Sequence, residues 1–179
     1  MTSIERCTGL HVVVMGVSGS GKTSVATALA EDLGFPMIEA DEYHSKANVD
    51  KLAAGIPLTD ADRAPWLKDL AEILADYHSR GEGTVLACSA LRRRYRDVLR
   101  SRIPPAEPFM IQLEVDADTL RERMAKRKGH YMPVSLLESQ LATLEPLGPD
   151  ERGATVDASG PLDEVIAAAL AAVRAAQGG

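Results

Sequence analysis

The sequence is short of cysteine: Cys7 and Cys88 are the only two in 179 residues. They have no metal-ligand spacing, which excludes a cysteine-based metal site and suits a reducing compartment. Long apolar runs are missing too. No stretch approaches the roughly 18 residues of a membrane span, and residues 1–8 carry charge where a secretory signal would have its apolar segment. A cytoplasmic protein that does not enter membranes is expected. Excess positive charge is the third absence: 20 Lys and Arg against 26 Asp and Glu leave a net charge of −6. A surface that binds nucleic acid or anionic lipid needs surplus cations to displace counterions, so neither partner is expected and a small molecule is. There is no internal repeat, no heptad run and no Asn-Lys-x-Asp base-recognition signature.

What remains is ordinary globular composition, 45% hydrophobic and 26% charged, at a length that fits one domain spanning residues 1–179. Strand-like and helix-like segments alternate throughout. Runs of strand length stand at Leu10–Met15, Phe35–Glu39, Thr84–Cys88, Phe109–Val115 and Ala154–Val156. Helical patterning lies between them, with Asp60 or Asp62 as the expected cap of the segment through Trp66, Leu70, Ile73, Leu74 and Tyr77. The pattern predicts an α/β fold: a five-stranded parallel sheet with helices on both faces.

The most specific feature follows the first of these strands. Gly16-Val17-Ser18-Gly19-Ser20-Gly21-Lys22-Thr23 matches the phosphate-loop pattern G-x-x-x-x-G-K-[ST] over its full length. Glycines let the backbone coil until successive N–H groups point at phosphate oxygens, Lys22 adds a point charge, and the Thr23 hydroxyl is a Mg²⁺ ligand. The following helix, beginning at Lys22, Thr23 and Ser24, turns its orphan N–H groups and positive dipole end toward the same anion. A bound nucleoside triphosphate with Mg²⁺ is predicted.

In parallel sheets of this type ligands sit beyond the carboxyl ends of the strands. The second strand is followed by Asp41-Glu42-Tyr43-His44 and the third by Ser89-Ala90-Leu91-Arg92-Arg93. Phosphoryl transfer needs charge stabilisation and a group that orients or deprotonates the acceptor. Asp41 is the candidate base, and also a candidate for holding Mg²⁺ through water; its competing use is as a helix cap. Of the arginines crowded at 92–102, Arg92 or Arg93, at the helix start, is expected to meet an anionic acceptor, with Arg100 and Arg102 on the surface. A second basic cluster, Arg121 to His130, runs into a glycine-containing loop suited to close over the triphosphate. Cys88 and Trp66 read as core packing.

Six blocks in one order extend these observations: the phosphate loop; Asp41-Glu42-Tyr43-His44; Asn48 with Gly55–Asp60 and Asp62–Leu67; Cys88–Arg93 with Tyr95-Arg96-Asp97; Arg127–Met132; and Leu137 with Ser139-Gln140 and Leu144-Glu145-Pro146. Together they resemble the gluconokinase family of small P-loop kinases across nearly the whole chain. The resemblance implies an adenylate- and shikimate-kinase-like P-loop fold with a substrate-binding segment near 42–80 and a lid near 123–145. It also implies transfer of the ATP γ-phosphate to the 6-hydroxyl of D-gluconate, commonly by a homodimer. By the same resemblance Asp41 is the base, Lys22 the charge stabiliser, Arg127 the lid arginine and Arg123 a platform for adenine. His44, Arg63, Arg92 or Arg93, His130 and Gln140 are of the types that a polyhydroxy acid requires. Two departures stand out: Ala40 precedes Asp41 where glycine is common, and Ser45 follows His44 where proline is common. Loss of the proline is expected to loosen the start of the substrate segment. The competing readings are a kinase for another small acceptor, such as shikimate or a nucleoside, and a non-catalytic ATP switch.

Overall fold

The computed structural model describes residues 9–126 and 134–178. Five strands, β1 (His11–Met15), β2 (Met37–Glu39), β3 (Thr84–Ala87), β4 (Phe109–Glu114) and β5 (Gly153–Asp157), form one sheet in the order β2-β3-β1-β4-β5. Every pairing is parallel. The central strand is buried at all five positions, which is why it reads as an unbroken apolar run rather than an alternation.

Alternate residues of β1 nonetheless serve different cores. Val12 and Val14 face α1 (Lys22–Leu33) and α7 (Leu162–Gly178), through Val25, Leu29, Val165 and Ala169. Val13 and Met15 face the other layer, where Trp66, Leu70 and Leu74 of α3 (Asp60–Ser79) pack with Tyr95 and Leu99 of α4 (Arg93–Arg100). The elements α2 (Lys46–Ala53), α5 (Ala117–Lys126) and α6 (Val134–Thr143) complete the chain.

Local chemistry sets the boundaries around the cleft. The cap of α3 is neither Asp60 nor Asp62 but Thr59, whose hydroxyl accepts the Asp62 N–H at 3.1 Å while the Asp62 carboxylate accepts the Thr59 N–H at 2.9 Å. The Lys51 ammonium, donating at 2.8 Å, and then this reciprocal box hold the Asp62 carboxyl down at about 2. Capping by Thr59 leaves Asp60 available to α4. At the start of α2, Ser45 supplies the cap, accepting the Asn48 N–H at 3.1 Å. The serine therefore secures the helix start that the missing proline was expected to loosen, and Asp41 is not spent on capping.

Candidate active site

The phosphate loop joins β1 to α1. Gly16 has φ 151°, and a Cβ there would stand 2.7 Å from Ser20 Oγ and 3.1 Å from Leu113 O. Gly21, at φ 94°, is the left-handed residue from which α1 starts. The loop is braced from inside: the Ser20 hydroxyl donates to Val17 O at 2.7 Å, and the Lys22 ammonium reaches the same oxygen at 3.1 Å. Beside it, Gly19, Gly21, Arg123, Leu162 and Val165 line a pocket of about 240 Å³. Arg123 donates to Gly19 O at 3.2 Å and to Ala158 O at 2.8 Å, which fixes its guanidinium plane at that pocket's edge. Ser24 lies exposed in the first turn of α1.

Glu39, a residue that the sequence reading passed over, closes β2 and accepts the Thr23 hydroxyl at 2.6 Å. The hydroxyl–carboxylate pair is a hard-oxygen set of the kind that serves Mg²⁺, which takes few protein ligands and fills its shell with phosphate and water. Among the described residues no group of three or more His, Cys, Asp or Glu is arranged to hold a metal. The signal for Glu39 was its position at the ligand end of a strand, two residues before Asp41.

Asp41 sits exposed on a 3₁₀ turn, Ala40–Tyr43, directly after β2. That turn is pinned by Trp66, whose indole N–H donates to Ala40 O at 2.7 Å. The same indole stacks on His44, with ring centroids 4.1 Å apart and planes at 17°. Trp66 packs as expected and also positions both flanks of Asp41. Burial lowers the His44 pKa, the Asp41 carboxylate opposes that shift, and Arg63 reinforces it, so three predicted groups share one electrostatic neighbourhood. The Cys88 thiol, pushed up to about 12 chiefly by burial, feels Asp41, Lys22 and Glu39 as well. Asp41, Lys22 and Glu39 thus all act on the thiol just beyond β3.

Arg63 donates to Leu58 O at 2.7 Å and to the Tyr95 hydroxyl at 3.1 Å, with its guanidinium 5.3 Å from that ring's centroid. The Tyr95 hydroxyl donates to Asp60, which also pairs with Arg94 and, at 3.7 Å, with Arg92. Tyr95 and Asp60 were legible only as motif letters, because nothing local relates them: they meet across two helices.

Three expectations are revised here. Arg93 is turned from the cleft, its guanidinium on Asp150 and its backbone N–H held at 2.9 Å by Glu145, leaving Arg92 as the member of the pair beside Arg63 and Tyr95. Arg100 is not a surface residue; it pairs with the buried Glu151, whereas Arg102 is exposed as expected. Gln140 stands at the phosphate loop, its side-chain oxygen accepting the Ser18 N–H at 2.7 Å. Arg127 and His130 lie outside the described residues.

A phosphate loop opening a helix at the edge of a 2-3-1-4-5 parallel sheet, with a carboxylate after the second strand, defines a P-loop kinase. Comparison with known proteins agrees. The model for "AAA domain" matches residues 12–147. A gluconokinase of Gluconobacter oxydans is 50% identical over 154 residues, covering 84% of this chain and 85% of the relative. The crystal structure of a gluconokinase from Sinorhizobium meliloti superposes with a TM-score of 0.86 at 45% identity, over 96% of this chain and 95% of that one. A shikimate kinase from Bacteroides thetaiotaomicron, at a TM-score of 0.65 and 16% identity over 93% and 97% of the two chains, shares the fold alone. The chain belongs to the gluconokinase family.

Proposed function

We propose that the protein transfers the γ-phosphoryl group of ATP to the 6-hydroxyl of D-gluconate, yielding 6-phosphogluconate and ADP. The observation that carries this reading is the Thr23 hydroxyl on Glu39 at the end of β2, with Lys22 beside Thr23 and Asp41 two residues beyond Glu39, while Arg63 and Arg92 gather at Tyr95 and Asp60 on the acceptor side. A phosphoanhydride fits the loop amides and the dipole of α1. Asp41, exposed just after β2, is the base in this reading, and it accepts the proton that the attacking hydroxyl sheds. Lys22 offsets the charge that develops on the transferring group and the leaving oxygen. Mg²⁺ belongs to this reading: Thr23 and Glu39 would hold it, and it would supply neutralisation of the triphosphate charge.

The acceptor is a carboxylate with several hydroxyls, and each part has a counterpart. Arg92 directly, and Arg63 through Tyr95, already face a carboxylate, that of Asp60, the planar anion that guanidinium groups suit. His44, half-buried and 3.4 Å from the buried Asn48 amide, presents a polar ring edge for hydroxyl groups. Residues 42–80 act as the acceptor segment and 123–145 as the lid, with Arg127 assigned to the transferring phosphoryl group and His130 to the acceptor. Arg123 and Leu162 flank the base in this reading. No helix among the described residues is long and apolar enough to cross a membrane; a cytoplasmic homodimer is the setting we infer from the family.

Coupled measurement of ADP release with gluconate, shikimate and a nucleoside panel tests the assignment. Turnover that depends on gluconate is expected, and its absence in a folded, nucleotide-binding preparation rejects the reading.

A further inference from the structure

The turn between β3 and α4 contains the one non-glycine residue among the described positions with positive φ: Ala90, at 44° and 1% exposed. An alanine held in this left-handed region is strained, and such strain persists only where the surroundings over-determine it. What over-determines it is Arg96, whose side chain is fully buried against Glu151. Its Nε and one Nη grip both carboxylate oxygens of Glu151, at 2.7 and 2.8 Å. The other Nη donates to Ala90 O at 2.9 Å. Glu151 is in turn held by Arg100 and by the Gly148 N–H at 3.1 Å, and these donors, Arg96 first, bring its carboxyl down to about 2.

A buried ion pair of this kind adds little net stability over apolar residues of the same volume, because desolvation offsets the attraction. Its distinctive contribution lies in what its remaining donor fixes. On one side of Ala90, Ser89 O accepts the Gly16 N–H of the phosphate loop at 3.3 Å. On the other side, Leu91 O accepts the Glu145 N–H at 2.7 Å, and Arg92 then reaches the cluster of Asp60, Arg63 and Tyr95. The strained turn is therefore the mechanical joint between donor loop and acceptor cation.

We propose that Arg96 and Glu151 are positioning residues for phosphoryl transfer, holding Ala90 in its left-handed conformation so that the phosphate loop and Arg92 keep their register. This rests on the acceptor reading above only for the role of Arg92; the geometric part stands without it.

Arg96→Met removes the brace while keeping an unbranched apolar stem. At a temperature where it is folded, we expect kcat to fall by about 10- to 100-fold, the scale of a misplacement of about 1 Å, with KM for gluconate raised and KM for ATP changed by less than about twofold. Ala90→Gly added to Arg96→Met should recover most of that loss, because glycine adopts the turn without being forced. A merely structural role predicts no such rescue. If Arg96→Met does not fold, Arg96→Lys and Glu151→Gln test the same brace, since neither retains the bidentate, charge-assisted fork. A crystal structure of whichever variant folds reads the joint independently of any acceptor: Ala90 should relax to negative φ and Arg92 should leave Asp60. Unchanged kcat in folded variants, a loss that Ala90→Gly leaves untouched, or an unmoved Ala90 overturns the inference. Absence of gluconate turnover in the parent protein would instead reject the proposed function, while the crystallographic result still decides the brace.

Discussion

The donor and acceptor halves of the cleft are built on opposite plans. The phosphate side is eight consecutive residues whose ligands are mostly backbone amides, fixed by three positive-φ glycines and the start of one helix. The acceptor side is side-chain chemistry drawn from the 3₁₀ turn after β2, from α3 and from the start of α4. It is held together by contacts such as Trp66 to Ala40 and Tyr95 to Asp60. An anion can be cradled by main chain because any tightly coiled loop offers N–H groups. Hydroxyls and a carboxylate need donors and acceptors at chosen points, which only side chains from several elements supply.

The comparison is broken most severely by removing one charge from each half. Lys22→Ala and Asp41→Asn are each expected to lower kcat by about 10² or more. They should differ in binding: Lys22→Ala weakens affinity for a nonhydrolysable ATP analogue, whereas Asp41→Asn leaves it within about twofold. Steady-state kinetics together with analogue titration separate the two. An Asp41→Asn variant with near-parent turnover removes Asp41 from the base role.

This division of plans also decides how much was legible in the sequence. The sheet, its parallel order of βα units and the phosphate loop were readable because their determinants are local: apolar runs, helical spacing and an eight-residue motif. Asp41 was readable by position, as the acidic residue just beyond a strand. What escaped depends on partners far along the chain. Arg96 and Arg100 look like members of a solvated basic face until Glu151, more than fifty residues on, is brought beneath them. Glu39 escaped for the opposite reason, since a carboxylate ending a short strand resembles an edge residue until Thr23 is placed against it. The α3 boundary moved to Thr59 because its capping box closes with Asp at the third position instead of the more usual Glu or Gln.

A perturbation at the far end of the sheet should strike both halves equally. His11 opens β1, away from the cleft, with Nδ1 2.8 Å from Thr84 Oγ1 and Nε2 3.2 Å from His78 Nδ1. Burial, and then the neighbouring His78, lowers its pKa from 6.5 to about 4. Between those two values the unfolded chain binds a proton that the folded chain refuses, so stability falls as pH drops through that window. With allowance for water reaching the His78 side, the loss is about 2 kcal/mol. Denaturant unfolding at pH 6.5 and pH 4.5 measures it, and His11→Gln should flatten the dependence while leaving both KM values at pH 7 near those of the parent. A selective change in one KM would show that the halves are coupled to this end of the sheet in different ways.

The finest test lies within the acceptor half, between adjacent arginines that the sequence could not rank. Arg92 is partly buried, in extended conformation just before α4, within 3.7 Å of the Asp60 carboxylate. Arg93 spends its guanidinium on the exposed Asp150, and its contact with Glu145 is made through the backbone N–H, which any residue retains. Arg92→Ala should therefore raise KM for gluconate by about tenfold, the worth of one charge-assisted contact of about 1.4 kcal/mol, with KM for ATP unchanged. Arg93→Ala removes only a surface ion pair, worth at most about 1 kcal/mol of stability, and should leave KM for gluconate within about twofold. Measured side by side, the pair distinguishes a carboxylate site built on the α3–α4 junction from a diffuse basic patch. If both variants raise KM alike, the patch is what attracts the acid and the geometry at Asp60 is incidental. If only Arg92→Ala does, the acceptor half is as specific in its side chains as the donor half is in its backbone.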